Sequence, residues 1–125
     1  MKKAQVIIPK ESKYQTVNAI ITSATISNDD HGCLSSWIQL EHEQGCQGFG
    51  GFALYLPQNF THSKIDSGYA GHWIWRVMEI AGVSTWKDLP GKSIRCIQTH
   101  SNILAIGHIV KDEWFCPKQE FGSEE

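Results

Sequence analysis

The amino-acid sequence predicts an α+β domain, with a mostly antiparallel sheet of about five to six strands and one main helix packed on it. Three observations lead there. Runs that are rich in β-branched residues, or that alternate apolar with polar, occur on both sides of residues 69–81. Residues 69–81 repeat apolar side chains at helical spacing. The order strands, helix, strands suits an antiparallel sheet with a helix on one face rather than repeated βαβ units.

Residues 16–27, TVNAIITSATIS, read as a long strand, and Asn28 to Gly32 as a turn, because Asn, Asp and Gly tolerate turn dihedrals. In 33–42, Leu34, Ser36, Ile38 and Leu40 share one face, and Trp37, Gln39 and Glu41 the other, the pattern of a half-buried strand. After Glu43-Gln44-Gly45, the run CQGFGGFALYL predicts a third strand and completes an antiparallel meander. Residues 57–68 read as a loop. In the helix, Ile74, Val77, Met78 and Ala81 form the predicted apolar stripe, and Gly82 is placed for a left-handed C-cap. Ser84 is the expected cap of a short turn ended by Pro90-Gly91. Strands 92–98 and 103–111 follow, and 112–121 reads as a helical turn before a loose acidic tail.

The chain has 125 residues, 41% hydrophobic, which suits one domain with its own core. Residues 1–14 and 119–125 read as loose termini. The net charge of −2 argues against DNA or RNA as a partner, since phosphate neutralisation needs a strong basic footprint. No run approaches the roughly 18 apolar residues of a membrane helix, and the N-terminal VII, broken by Pro9, is too short for a signal peptide. The expectation is a cytosolic protein whose cysteines, at 33, 46, 96 and 116, are free thiols. No two cysteines have C-x-x-C spacing, and His31 and Cys33 are the only close mixed pair, so no metal is expected. No G-x-S-x-G serine and no outstanding carboxylate pair is present, so no catalytic residue is assigned and no cofactor is implied.

Three features invite a binding role, each beside a plainer one. Gly48-Phe49-Gly50-Gly51 is neither a P-loop nor a dinucleotide fingerprint. It marks either a sharply twisted strand or close approach of a ligand or second subunit. On the helix, His72, Trp75, Arg76 and Glu79 fall opposite the predicted stripe; an outward Trp beside an Arg suits a partner surface or a nucleotide, against the plain reading of a rim. Arg95 alternates with Ile94 and the core-facing Cys96, and so points off the core, as a phosphate ligand or as a solvated strand residue. The five tryptophans and the aromatic outer helix face predict a homodimer or higher homo-oligomer.

The runs DHGCLSSWIQLE, GCQGFGGFALYLP, GHWIWRVMEIAGVSTWKDLPGKSIR and AIGHIVKDEWFCP resemble a family of small phage proteins, the Thoeris anti-defence sponges, over about residues 18–118. The resemblance implies a protein that acts in the cytoplasm of an infected bacterial host. It implies immune evasion: binding, without cleavage, of the cyclic ADP-ribose isomer that a TIR-domain enzyme makes as an alarm signal. Members of that family are oligomeric, and some also hold cyclic oligonucleotides. On this reading the ligand-binding residues are Arg95 and Arg76 for the pyrophosphate, Trp75 or Phe49 for the adenine, Gly50 where backbone approaches the ligand, and His72 beside them. Two rival readings stay open: a phage protein that blocks a host defence protein by direct contact, as anti-CRISPR proteins do, and a small nucleotide hydrolase.

Overall fold

The computed structural model describes residues 13–30, 33–52, 54 and 68–121. The elements are β1 (Gln15–Asp30), β2 (Cys33–His42), β3 (Gly45–Gly50), α1 (Gly68–Ala81), β4 (Ser93–Gln98), β5 (Ile103–His108), β6 (Trp114–Phe115) and α2 (Pro117–Glu120), with a 3-10 turn at Trp86–Asp88. One six-stranded sheet runs in the order β3-β2-β1-β4-β5-β6, every neighbouring pair antiparallel. The fold is α+β, with α1 as its main helix.

Alternation along the strands decides the faces. Ala19, Ile21, Ile38, Leu40, Phe49, Ile94, Cys96, Ile106 and Phe115 are buried with Trp73, Val77 and Ile80 of α1 in one core. The other face carries Trp37, Gln39 and Glu41 on β2 and Arg95 on β4, in the alternation expected of both strands. The sheet is strongly coiled. Flat, its two edge strands would lie roughly 24 Å apart, five spacings of about 4.8 Å. Instead Phe49 of β3 and Phe115 of β6 meet with ring centroids 6.1 Å apart, and both pack on Trp73, at 5.2 and 5.5 Å. At one end the β2–β3 turn closes on the β4–β5 turn: Gln47 Nε2 donates to the Thr99 carbonyl (2.8 Å) and Gln98 Nε2 to Gln44 Oε1 (3.0 Å). Three aromatic rings stacked edge and face hold the curl from inside.

The punctuation residues act as their chemistry dictates. Gly82 has φ +76°, and its N–H and that of Val83 both donate to the Met78 carbonyl, closing α1. Gly91, at φ +94°, turns the chain into β4.

Several boundaries differ from expectation. β1 extends through Asn28 to Asp30, because β2 continues to pair with it. The short turn starts from Thr85 rather than Ser84, without a side-chain cap. The third strand stops at Gly50, since Gly50 (φ +133°) and Gly51 (φ +77°) leave the strand region; Leu54 still donates its N–H to the Leu34 carbonyl. Residues 112–121 form more than a helical turn: Trp114–Phe115 add a sixth strand before α2. Glu120 and Phe121, expected in a loose tail, pack against α1. Of the loop expected at 57–68, Gly68 instead begins α1, and residues 57–67, like the turn residues His31 and Gly32, lie outside the described residues.

Candidate functional site

The helix presents a face other than the one its sequence suggests. Trp73, Arg76, Val77 and Ile80 are its buried residues, again at i, i+3, i+4 and i+7, with an arginine in the second place. Ile74, Met78 and Ala81 of the predicted stripe are only half-buried. Arg76 is therefore not on an outer face: it is 0% exposed. Its Nε and Nη2 donate to the two carboxylate oxygens of Glu120 (2.9 and 2.8 Å), Nη1 donates to Glu79 (2.7 Å), and Nη2 also reaches the Trp114 carbonyl. The guanidinium carbon lies 5.4 Å from the Phe115 ring centre. Burial alone would lower the pKa of Arg76, but hydrogen bonds and charge from Glu120 and Glu79 outweigh it and hold the value above the ordinary arginine range. His72 Nε2 is 2.8 Å from Glu120 Oε1, and its ring packs on Phe115 and Phe121. The role this geometry gives Arg76 and His72 is to fasten the C-terminal segment to α1.

Phe49 is likewise a core ring, stacked on Trp73, and offers no open surface for a base. Trp75 does point outward, 65% exposed, beside a hollow of about 330 Å³ lined also by Met78, Glu79, Val83 and Ser84.

Arg95 stands on the helix-free face, as the strand alternation predicts. Its guanidinium lies over the Trp114 ring, 4.7 Å from the centroid. Nε donates to the His108 carbonyl and Nη2 to the Lys111 carbonyl, both at 2.7 Å. Nη1 has no hydrogen-bond partner among the described residues. Trp114 in turn lies on Gly107, where a Cβ would come within 2.4 Å of the ring. These are the only two arginines in the sequence, and both serve Trp114: Arg76 holds its carbonyl from the core side and Arg95 its ring from the other. The two therefore lie on opposite faces of the sheet and do not converge on one pyrophosphate.

The glycine run makes room for its neighbours on β2. A Cβ on Gly48 would meet Trp37 at 2.8 Å, one on Gly51 would meet it at 2.4 Å, and one on Gly50 would strike the Ser36 carbonyl at 2.2 Å. The bare backbone lets the Trp37 indole lie down across β3 on the helix-free face while Trp37 stays 44% exposed. Trp37 was not among the residues singled out from sequence. The available signal was its outward register on β2 opposite Gly50, which requires strand pairing to be known.

Another hollow on the helix-free face, about 800 Å³, is lined along β1 and by Glu41, His42, Glu43 and Ser93. Its two glutamates, with no lysine or arginine among the described lining residues, disfavour an anionic ligand. Cys46 is an exposed free thiol, while Cys96 and Cys116 are buried free thiols; burial pushes the Cys96 thiol up to about 12. No group of three or more His, Cys, Asp or Glu among the described residues is placed to hold a metal ion. No helix of the described residues is long and apolar enough to cross a membrane. No family model matches the chain, and the search of curated proteins finds no match.

Proposed function

We propose that the protein binds a cyclic ADP-ribose isomer and holds it without cleaving it, acting in the cytoplasm of an infected bacterial host as a phage sponge for an immune signal. The observation that carries this reading is the Arg95–Trp114 stack. A pyrophosphate is recognised best by a planar cation already fixed in orientation. Arg95 is such a group: two backbone carbonyls and an indole face set its plane, and Nη1 is left as a donor. It lies within a stretch, 71–95, that carries part of the family resemblance. Trp75, on the outer face of α1, offers a second exposed aromatic surface, and the reading places it at the contact with another copy of the chain, where a base or a partner side chain covers it.

The test is retention. The protein is incubated with cyclic ADP-ribose isomers, desalted and heated, and the released material is identified by mass spectrometry. Intact nucleotide is the expected result. Cleaved nucleotide would mean a hydrolase, and no retained nucleotide would leave the direct blocker of a host protein. Arg95→Ala is expected to weaken binding roughly ten- to hundredfold, the loss of one charge-assisted contact of about 1.5–3 kcal/mol. Unchanged affinity in that variant would remove Arg95 from the site.

A further inference from the structure

A third aromatic surface lies on the helix-free side of β2 and β3. A hollow of about 250 Å³ opens where β3 curls toward the start of β5, lined by Tyr14, Trp37, Phe52, Asn102, Lys118 and the bare backbone of Gly48 and Gly50. Three features distinguish it from an ordinary crease. Its wall is aromatic on several sides, although exposed indoles are costly to leave in water. Gly48 and Gly51 lack side chains that would strike the Trp37 ring, Gly50 lacks one that would strike the Ser36 carbonyl, and Gly50 and Gly51 take backbone conformations that other residues rarely adopt. Asn102 has one end fixed: Thr99 Oγ1 donates to its Oδ1 (3.0 Å), which leaves the amide Nδ2 as a donor without a partner among the described residues. Nothing in the Arg95 site explains this investment, because Trp37 and Gly48 lie on strands β2 and β3, separated from β4 by β1.

We infer that this hollow is a binding site for a purine-type base carried by a nucleoside or nucleotide, with the ring stacked against Trp37 and a ring nitrogen accepting from Asn102. Stacking on an aromatic side chain is the general way proteins hold a lone base, since every base has a π-face. The size agrees. The volume falls just below the roughly 300–1,000 Å³ of pockets for drug-sized ligands, which is room for one base and its sugar and not for a dinucleotide. Lys118 is part of the lining, and a cationic side chain there favours a ligand that carries a phosphate.

The site is independent of the proposed sponge activity, and its test uses different ligands. Adenosine and AMP are titrated into the intact protein by calorimetry, alongside Trp37→Ala, Gly48→Ala and Lys87→Ala, with melting curves as the folding control. Saturable binding of both ligands is expected, AMP at least as tightly as adenosine. Trp37→Ala should weaken it roughly 5- to 150-fold, the range for loss of one stacked aromatic partner. Gly48→Ala should weaken it severalfold without unfolding, because the added methyl sits 2.8 Å from the indole and displaces it. Lys87→Ala, an exposed position outside the hollow, should bind as wild type. Absence of saturable binding by wild type at millimolar ligand, wild-type affinity in a folded Trp37→Ala, or adenosine binding with AMP excluded would each overturn the assignment. A protein that binds AMP through Trp37 but retains no cyclic ADP-ribose isomer would have this site and lack the sponge function; the converse would leave the sponge reading and remove this site.

Discussion

Replacing Arg76 separates the role its sequence position suggests from the role the structure gives it. If Arg76 were an exposed ligand contact, Arg76→Ala would spare the fold and cost affinity. In the structure it is fully buried and bonded to Glu120, Glu79 and the Trp114 carbonyl. Removing it strands the carboxylate of Glu120, only 6% exposed, without its cation. Breaking one side of a buried pair costs about 3–5 kcal/mol, against a total stability on the order of 5–15 kcal/mol for a domain. For a chain of this length that corresponds to a fall in Tm of roughly 10–25 °C. Glu120→Ala should give a loss of the same order, and the double variant should cost much less than the sum, because the two share one interaction. Replacing both with apolar residues, Arg76→Met with Glu120→Leu, should recover most of the stability. Calorimetric melting of the four variants beside wild type is the assay, with hydrogen exchange across residues 114–121 reporting whether α2 detaches first. The pKa of Arg76 is raised, so its contribution is present at every pH below arginine's unfolded value and is lost only as pH rises through the still higher folded one. The deficit of Arg76→Ala should therefore persist from mildly acidic to mildly alkaline solution. A Tm within about 2 °C of wild type would refute the reasoning, since an Ala in a truly buried ionic site cannot be that mild.

Cysteine reactivity should sort by burial: native alkylation mapped by peptide mass should modify Cys46 quickly and leave Cys96 and Cys116 protected until denaturant is added. Labelling of Cys96 in the folded protein would contradict its place in the core. Gly107→Ala puts a methyl 2.4 Å from Trp114 and should lift that ring from the sheet, costing about 1–3 kcal/mol and disturbing the Arg95 stack; unchanged melting and unchanged tryptophan emission would argue against the packing described. Light scattering should find at least a dimer at micromolar protein, with Trp75→Glu shifting it toward monomer; a wild-type mass of 14.1 kDa would exclude the predicted assembly.

The sequence alone was enough for the fold class, the strand meander, the span of α1, its Gly82 cap and the inward and outward registers of β2 and β4. These rest on local chemistry: alternation, helical spacing and the dihedral freedom of glycine are properties of neighbouring residues. The outward orientation of Arg95 followed from the same alternation. What tertiary structure decided was rotation and partnership. α1 offers two overlapping stripes, one through Ile74, Val77, Met78 and Ala81 and one through Trp73, Arg76, Val77 and Ile80. Hydropathy favours the first. The second is buried because Glu120, 44 residues away, neutralises Arg76 once α2 docks, and no local pattern encodes a partner at that distance. Phe49 became core and Trp37 became the exposed ring for a related reason: the coiling of the sheet carries Phe49 inward against Phe115, and strand pairing sets Trp37 over glycines that mean little until β2 and β3 are in register. A buried charge and a seated indole depend on contacts between distant segments, and those exist only after the chain has folded.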